Sequence, residues 1–167
     1  MHFALITIVT FHSHYVSQIA IEAANQKTTI QNADNEAVSM IDRNAILAER
    51  LLDFAVRAGK VVDALPDTRL GRHIAGQLVR CSTSPAPNYA EACGAESKKD
   101  FIHKMGICLK ELRESKCWLD LIVRSELLPE QRLVPLSDEC HELTLIIGKS
   151  IVTAKNNLRR GADGKPK

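Results

Sequence analysis

Apolar residues recur along most of the chain at alternating steps of four and three positions. In the first patterned segment they are Leu47, Leu51, Phe54, Ala58, Val61 and Leu65. This spacing predicts a helix with one apolar side that packs lengthwise against other helices. Ser39 and Asp42 resemble a capping box at its start, and Pro66 predicts its end.

A second helix is predicted after Pro66, with Thr68 as its N-cap. Its apolar positions are Leu70, Ile74, Leu78 and Cys81. Two prolines in the segment 82–87 remove amide donors and clash with preceding carbonyl groups, which predicts a kink or break near Ser84. The spacing of Tyr89, Ala92 and Cys93 indicates that the helix resumes at Asn88, and Gly94 predicts its end.

The third and fourth helices have the most regular pattern. Ser97 and Asp100 form a capping-box signature at the start of the third helix. The fourth helix is predicted to begin at Pro129, because proline suits the first helical position. The apolar positions are Phe101, Met105, Cys108, Leu112, Ser115, Leu119 and Ile122 in the third helix, and Leu133, Leu136, Cys140, Leu143, Ile147, Ser150 and Ala154 in the fourth.

Four helices with short connections predict an all-α protein, folded as an antiparallel up-down-up-down four-helix bundle over residues 40–158. The apolar run 3–11 has no basic residue before it and is too short to span a bilayer. We expect residues 1–39 to be a disordered or loosely ordered extension, and we expect the Gly-, Lys- and Pro-containing segment 159–167 to be a disordered tail.

Charge and composition limit the function only weakly. The 167 residues hold 22 Lys and Arg against 20 Asp and Glu, a surplus that permits nucleic-acid binding without requiring it. Only seven residues are aromatic, so any contact with nucleic acid is expected to be mainly electrostatic. The five cysteines include no Cys-x-x-Cys pair, and we interpret them as reduced, small core residues of a cytoplasmic protein.

Catalytic and metal-binding patterns are missing from the sequence. The spacing Asp100-x-x-His103 comes close to the Glu-x-x-His motif, but Glu-x-x-His itself does not occur in the sequence, and a di-iron bundle needs two such motifs with paired carboxylates. Cys93 and Cys117 have no identifiable base, and no phosphate-binding glycine loop occurs. We therefore expect no metal, no cofactor, no small-molecule substrate, no membrane association and no enzymatic activity.

One face of the third helix is a predicted self-association surface. Ile107, Trp118 and Leu121 lie beside its main apolar side, where a monomeric bundle would leave them wet. Glu114 belongs to a series of alternating charges on this helix, which is typical either of a solvated face or of a network between subunits. The predicted oligomer interface is thus Ile107, Glu114, Trp118 and Leu121.

A polar cluster flanks the predicted bend, and two interpretations of it stay open. Arg80, Asn88 and Glu91 could satisfy the backbone groups that the broken helix leaves unpaired. Alternatively they form a recognition patch together with lysines of the third helix. The residues predicted to bind nucleic acid or a partner are Arg80, Asn88, Glu91, Lys98, Lys99, Lys104, Lys110 and Arg113.

Four short pieces of the segment 65–121 carry a family resemblance: Gln77 with Arg80, Ser84 with the run 88–91, Ser97 with Asp100 and Phe101, and the run 110–115. Together they resemble a bacterial four-helix-bundle family. That family includes the intervening-sequence proteins encoded inside large-subunit ribosomal RNA genes and the accessory variability determinant of diversity-generating retroelements. The resemblance implies a bundle that assembles as a homopentameric barrel without enzymatic activity. In the retroelement branch it implies binding to a reverse transcriptase and to nucleic acid through a basic surface.

Two functional hypotheses follow. The first is a non-enzymatic, oligomeric accessory factor that binds RNA or a nucleoprotein through basic residues of the second and third helices. The second is a protein-interaction adaptor that does not bind nucleic acid. Fold alone does not decide between them.

Overall fold

The computed structural model describes residues 26, 27, 29, 31, 32 and 43–163. The chain divides into two compact units, Met1–Asn44 and Ala45–Lys167. In the first unit the described residues are helical and exposed. The rest of the predicted extension, including the Ser39–Asp42 capping box, and residues 164–167 of the predicted tail lie outside the described residues.

The described residues fold only into helices, without any strand, which confirms the all-α prediction. We number them in chain order. They are α1 (residues 43–64), α2 (Arg69–Thr83), α3 (Pro85–Cys93), α4 (Lys98–Arg124) and α5 (Glu130–Asp163). α5 continues five residues past the predicted boundary at residue 158 and contains Pro135 near its exposed start.

The helix ends follow the capping residues of the sequence. The Thr68 hydroxyl accepts a hydrogen bond from the Gly71 amide at 3.0 Å, and the Ser97 hydroxyl accepts one from the Asp100 amide at 3.1 Å. Each bond satisfies an amide that has no partner inside the helix. Both predicted N-caps are therefore confirmed, as is the end of α1 before Pro66.

The predicted break at Ser84 is confirmed, but the predicted restart at Asn88 is wrong. α2 ends at Thr83, and α3 begins directly at Pro85. Pro85 and Pro87 lie in the first turn of α3, where amides have no helical acceptor and the fixed φ of proline is tolerated. The two prolines therefore begin a new helix rather than delay it.

The predicted apolar positions form one hydrophobic core across α1 to α5. The main exceptions are Leu70, which is 42% exposed in the first turn of α2, and Leu65 and Phe101, which are half-buried at the edge of the core. Near the end of α5 the core takes Ile151 in place of Ser150. The four-three spacing thus identified the core in the middle of each helix and failed mostly at the ends.

Three sulfur contacts show how the helices align along α4. The Cys108 thiol donates to the Pro85 carbonyl at 3.3 Å, the Ser115 hydroxyl donates to the Cys81 sulfur at 3.2 Å, and the Cys140 thiol donates to the Leu112 carbonyl at 3.2 Å. Along the α2–α3 segment the residue number falls from 85 to 81 as that on α4 rises from 108 to 115, so this segment runs antiparallel to α4. α5 packs on α4 and follows it after the five residues 125–129. Five residues reach about 17 Å and cannot return along a helix of about 40 Å, so α5 also runs antiparallel to α4.

The prediction that all five cysteines are core residues is correct for three of them. All five are free thiols, and Cys81, Cys108 and Cys140 are buried. Cys93 and Cys117 are exposed, because both lie on outward sides of their helices. Desolvation raises the pKa of Cys81 to about 11 and those of Cys108 and Cys140 to about 12.

We predict that Gly71→Ala destabilises the protein, whereas Gly76→Ala in the same helix stabilises it. A Cβ at position 71 would lie 2.1 Å from the Pro66 carbonyl oxygen, while a Cβ at position 76 meets nothing within 4 Å. We expect a loss of about 1–3 kcal/mol for the first variant and a gain of about 0.5–1 kcal/mol for the second. Urea unfolding monitored by circular dichroism measures both. Equal effects of the two variants would contradict the close approach of Pro66 to Gly71.

We also predict two classes of thiol. At pH 8 a colourimetric thiol reagent should modify Cys93 and Cys117 quickly, and the other three cysteines only after unfolding.

The buried thiols have pKa values above the usual 9.0, so their contribution to stability is complete below pH 9 and is lost as the pH rises toward 11–12. A Cys140→Ala variant should accordingly lose less stability than the wild type over that interval. In the labelling experiment, rapid reaction of four or five thiols in the folded protein would contradict the burial of Cys81, Cys108 and Cys140.

Candidate functional site

Asn88 stabilises the break between α2 and α3. Its side-chain amide donates to the Ser84 carbonyl at 2.9 Å and to the Ser84 hydroxyl at 3.2 Å. Ser84 is the residue at which α2 ends and α3 starts, and its own side chain makes no capping bond. The Asn88 amide therefore holds the bend, as one of the two interpretations of the polar cluster anticipated.

Arg80 and Glu91 make ion pairs with different residues of α4. The Arg80 guanidinium donates to the Gln77 side-chain oxygen at 2.6 Å and lies 3.8 Å from the Glu114 carboxylate, with 69% of its side chain exposed. The Glu91 carboxylate pairs with the Lys104 ammonium, and that hydrogen bond raises the pKa of Lys104. Both pairs connect the α2–α3 segment to α4. Their exposure leaves the charges able to contact a ligand, at the cost of a weak contribution to stability.

The remaining candidate bases lie along α4. Lys110 is 3.5 Å from Glu111, whereas Lys98, Lys99 and Arg113 are exposed and belong to no ion pair among the described residues. Lys99 and Arg113 are 14 residues apart, which is about 21 Å along a helix. The eight candidates therefore form separate groups at the start, middle and flank of α4, and they do not converge on one pocket.

The predicted oligomer interface is half-buried within the subunit. Trp118 donates its indole N–H to the Glu114 carboxylate at 3.3 Å, and its ring meets the ring of His73 on α2 edge to face, with centroids 5.7 Å apart. Leu121 packs against the core, and Ile107 is also half-buried. α2 therefore covers part of the face of α4 that the sequence pattern predicts to be exposed on a monomer.

Two features that involve α5 were not predicted from the sequence. Arg50 of α1 forms a two-point ion pair with Glu139, with Nε to Oε1 at 2.8 Å and Nη2 to Oε2 at 3.1 Å, and this hydrogen bond raises the pKa of Arg50. The second half of α5 carries Lys149, Lys155, Arg159 and Arg160, all exposed, with no acidic residue from 143 to 160. The long acid-free run was the signal available in the sequence.

Neither a metal site nor a membrane-spanning helix is present among the side chains and helices of the described residues. No group of three or more His, Cys, Asp or Glu side chains there could hold a metal ion. Among the same residues, none of the helices is both long enough and apolar enough to cross a bilayer.

Comparison with known proteins gives this surface a family context. A family model described as 23S rRNA-intervening sequence protein matches residues 43–149. Among solved structures, the chain is similar to a protein of unknown function from the S23 ribosomal protein family of Bacteroides thetaiotaomicron. The two share 29% sequence identity with a TM-score of 0.60, over 65% of this chain and 96% of that chain. No curated protein matches the sequence.

The family match extends from α1 into the second half of α5 and includes the α2–α3 break and all of α4. It confirms the resemblance seen in the motifs around Arg80, Asn88 and the run 110–115. Because the match spans more than half of the sequence, the chain belongs to the 23S rRNA-intervening sequence protein family.

Proposed function

We propose that the protein is a non-enzymatic, oligomeric accessory factor of the cytoplasm that binds structured RNA. The observation that carries this proposal is the set of exposed bases on α4, Lys98, Lys99 and Arg113, which no acidic side chain among the described residues neutralises. Free ammonium and guanidinium groups on a rigid helix suit phosphate oxygens. The family description, which names a ribosomal RNA, favours RNA as the source of those phosphates.

The proposed lack of enzymatic activity fits three of the five thiols. Cys81, Cys108 and Cys140 are buried, and burial raises their pKa values, so they are poor nucleophiles, whereas Cys93 and Cys117 are exposed. Asn88 serves the bend, and Arg80, Glu91 and Lys104 pair with other side chains. These roles leave binding through charge as the function that best fits the surface.

Assembly is the second part of the proposal. An up-down-up-down bundle is supported by the antiparallel alignment of α2, α3 and α5 with α4. We propose that five such subunits close into a homopentameric barrel through Ile107, Glu114, Trp118 and Leu121. Repetition of a weak basic surface around a ring would multiply its affinity for a long polyanion.

A protein-interaction adaptor is the alternative function. Leu52 and Val56 of α1 are 51% and 59% exposed and lie four residues apart on one side of the helix. Such a pair could contact a partner protein without nucleic acid. Binding to a partner that survives nuclease treatment would favour this alternative.

We predict salt-dependent binding to RNA. Affinity for a hairpin of 20 base pairs, measured by filter binding, should fall about tenfold or more between 50 and 200 mM salt, because phosphate contacts release counterions. The double variant Lys98→Gln/Lys99→Gln should bind more weakly than a control, Lys60→Gln/Arg132→Gln, that loses the same charge elsewhere. Retention at background level at every salt concentration would exclude the RNA-binding function.

We predict that the purified protein sediments with five times the 18.5-kDa mass of the subunit at micromolar concentration. Ile107→Lys should dissociate the assembly, because it places a charge in the proposed interface. Val56→Lys on α1 is the control and should sediment like the wild type. A monomeric wild type would contradict the assembly, and dissociation by Val56→Lys alone would place the interface on α1.

A further inference from the structure

The charges of α5 are separated along its length. Its first part, residues 130–142, has four acidic residues and one base, Arg132. Residues 143–160 have four bases, Lys149, Lys155, Arg159 and Arg160, and no acidic residue. All four bases are exposed, and none is in an ion pair with another residue of the segment 43–160. Residues 143–160 of α5 therefore carry positive charge alone.

The alignment of α4 and α5 brings this half of α5 to the start of α4. Cys140 of α5 lies opposite Leu112 of α4, and the helices run antiparallel, so Lys98 lies level with Ala154. Residues 155–160 project past the first turn of α4, by about 9 Å. We call the residues 91–104 and 143–160 the basic end. It contains seven Lys and Arg residues against three acidic residues, although the whole chain has a net charge of only +2.

Helix stability explains only part of this arrangement. Arg159 and Arg160 lie near the carboxyl end of α5, where cations are favoured by the helix dipole. Lys149 and Lys155 lie further from that end. Lys98 and Lys99 occupy the first two positions of α4, where the dipole disfavours positive charge. Residues placed against a local preference are expected at functional sites.

The side chains around these bases suit a nucleic acid better than a lipid surface. In the projecting segment 155–160 the exposed residues are all polar, namely Lys155, Asn156, Asn157, Arg159 and Arg160, and Leu158 is half-buried. The exposed apolar residues of the segment 143–160, Leu145 and Val152, lie beside Lys149 and before the projecting segment. A segment that enters a bilayer surface instead places exposed apolar residues beside its bases. Asparagine amides and guanidinium groups donate hydrogen bonds to phosphate oxygens.

We propose that the unpaired bases of the basic end, Lys98 and Lys99 of α4 with the four bases of residues 143–160, form the main site at which the protein contacts the phosphate backbone of RNA. This rests on the RNA-binding function proposed above and assigns it to a surface. The bases of this end contact phosphates on one side of an RNA duplex. Arg80, Lys104 and Lys110, which are paired with acidic side chains, contribute less.

The test compares two triple variants of the full chain that lose the same charge. Lys155→Gln/Arg159→Gln/Arg160→Gln removes bases from the basic end. Lys60→Gln/Arg124→Gln/Arg132→Gln removes three exposed, unpaired bases near the opposite end of the helices. Circular dichroism and thermal unfolding confirm that both variants fold. Binding to the RNA hairpin of 20 base pairs and to phosphatidylserine-containing vesicles is then measured from 50 to 200 mM salt.

We expect the first variant to lose about tenfold or more in RNA affinity at 100 mM salt, with a slope of log affinity against log salt reduced by about two to three. The second variant should stay within about threefold of the wild type, since it removes no phosphate contact. Equal losses in both variants would overturn the assigned surface while leaving RNA binding intact. If the wild type does not bind RNA, both the proposed function and the proposed site are wrong. Binding to vesicles alone, lost in the first variant, would assign the basic end to a lipid surface instead.

Discussion

The buried side of α4 is the constraint on which the rest of the structure depends. Six of its residues, spaced by three and four positions, are almost completely excluded from water: Met105, Cys108, Leu112, Ser115, Leu119 and Ile122. α2, α3 and α5 all pack on this helix. Burial of this side contributes favourable free energy, and the area removed from water grows with each helix that packs on it. The way in which these helices pack on α4 also sets the positions of the surface side chains Arg80, Lys104 and Trp118.

Small polar and sulfur-containing residues determine the alignment of the helices on α4. The buried Ser115 hydroxyl lies within hydrogen-bonding distance of the Glu111 carbonyl oxygen of its own helix, at 2.9 Å, and of the Cys81 sulfur, at 3.2 Å, and shares its one proton between them. Cys108 and Cys140 donate to carbonyl groups of the neighbouring helices. Such thiols are small enough for close packing and still satisfy a polar atom. A leucine in their place would fill space without preferring one alignment.

The sequence predicted the core more accurately than the ends of the helices, and it could not indicate the long-range ion pairs around the candidate site. Periodicity identifies positions such as Leu51 and Leu143, which are fully buried. In the middle of a helix one side faces the core and the other faces solvent, so apolar residues recur there every three or four positions. Periodicity fails at Leu70, in a first turn with few packing neighbours, and at Pro85, where the same residue type can end one helix or begin the next. The pairs Arg50–Glu139 and Arg80–Glu114 join residues far apart in the chain, so no local pattern could indicate them.

Pairing of charges within the subunit explains why a nearly neutral protein can still present a basic surface. In the middle of α4 two bases pair with acidic side chains, Lys110 with Glu111 and Lys116 with Asp120, and Arg113 between them does not. Neutralised pairs contribute little to the field at a distance, because their opposite charges cancel beyond the screening length of about 10 Å. The bases at the projecting end of α5 have no acidic residue before them in the helix as far back as residue 143. The surface available to a polyanion is therefore determined by where the acidic residues are missing, and net charge alone does not reveal it.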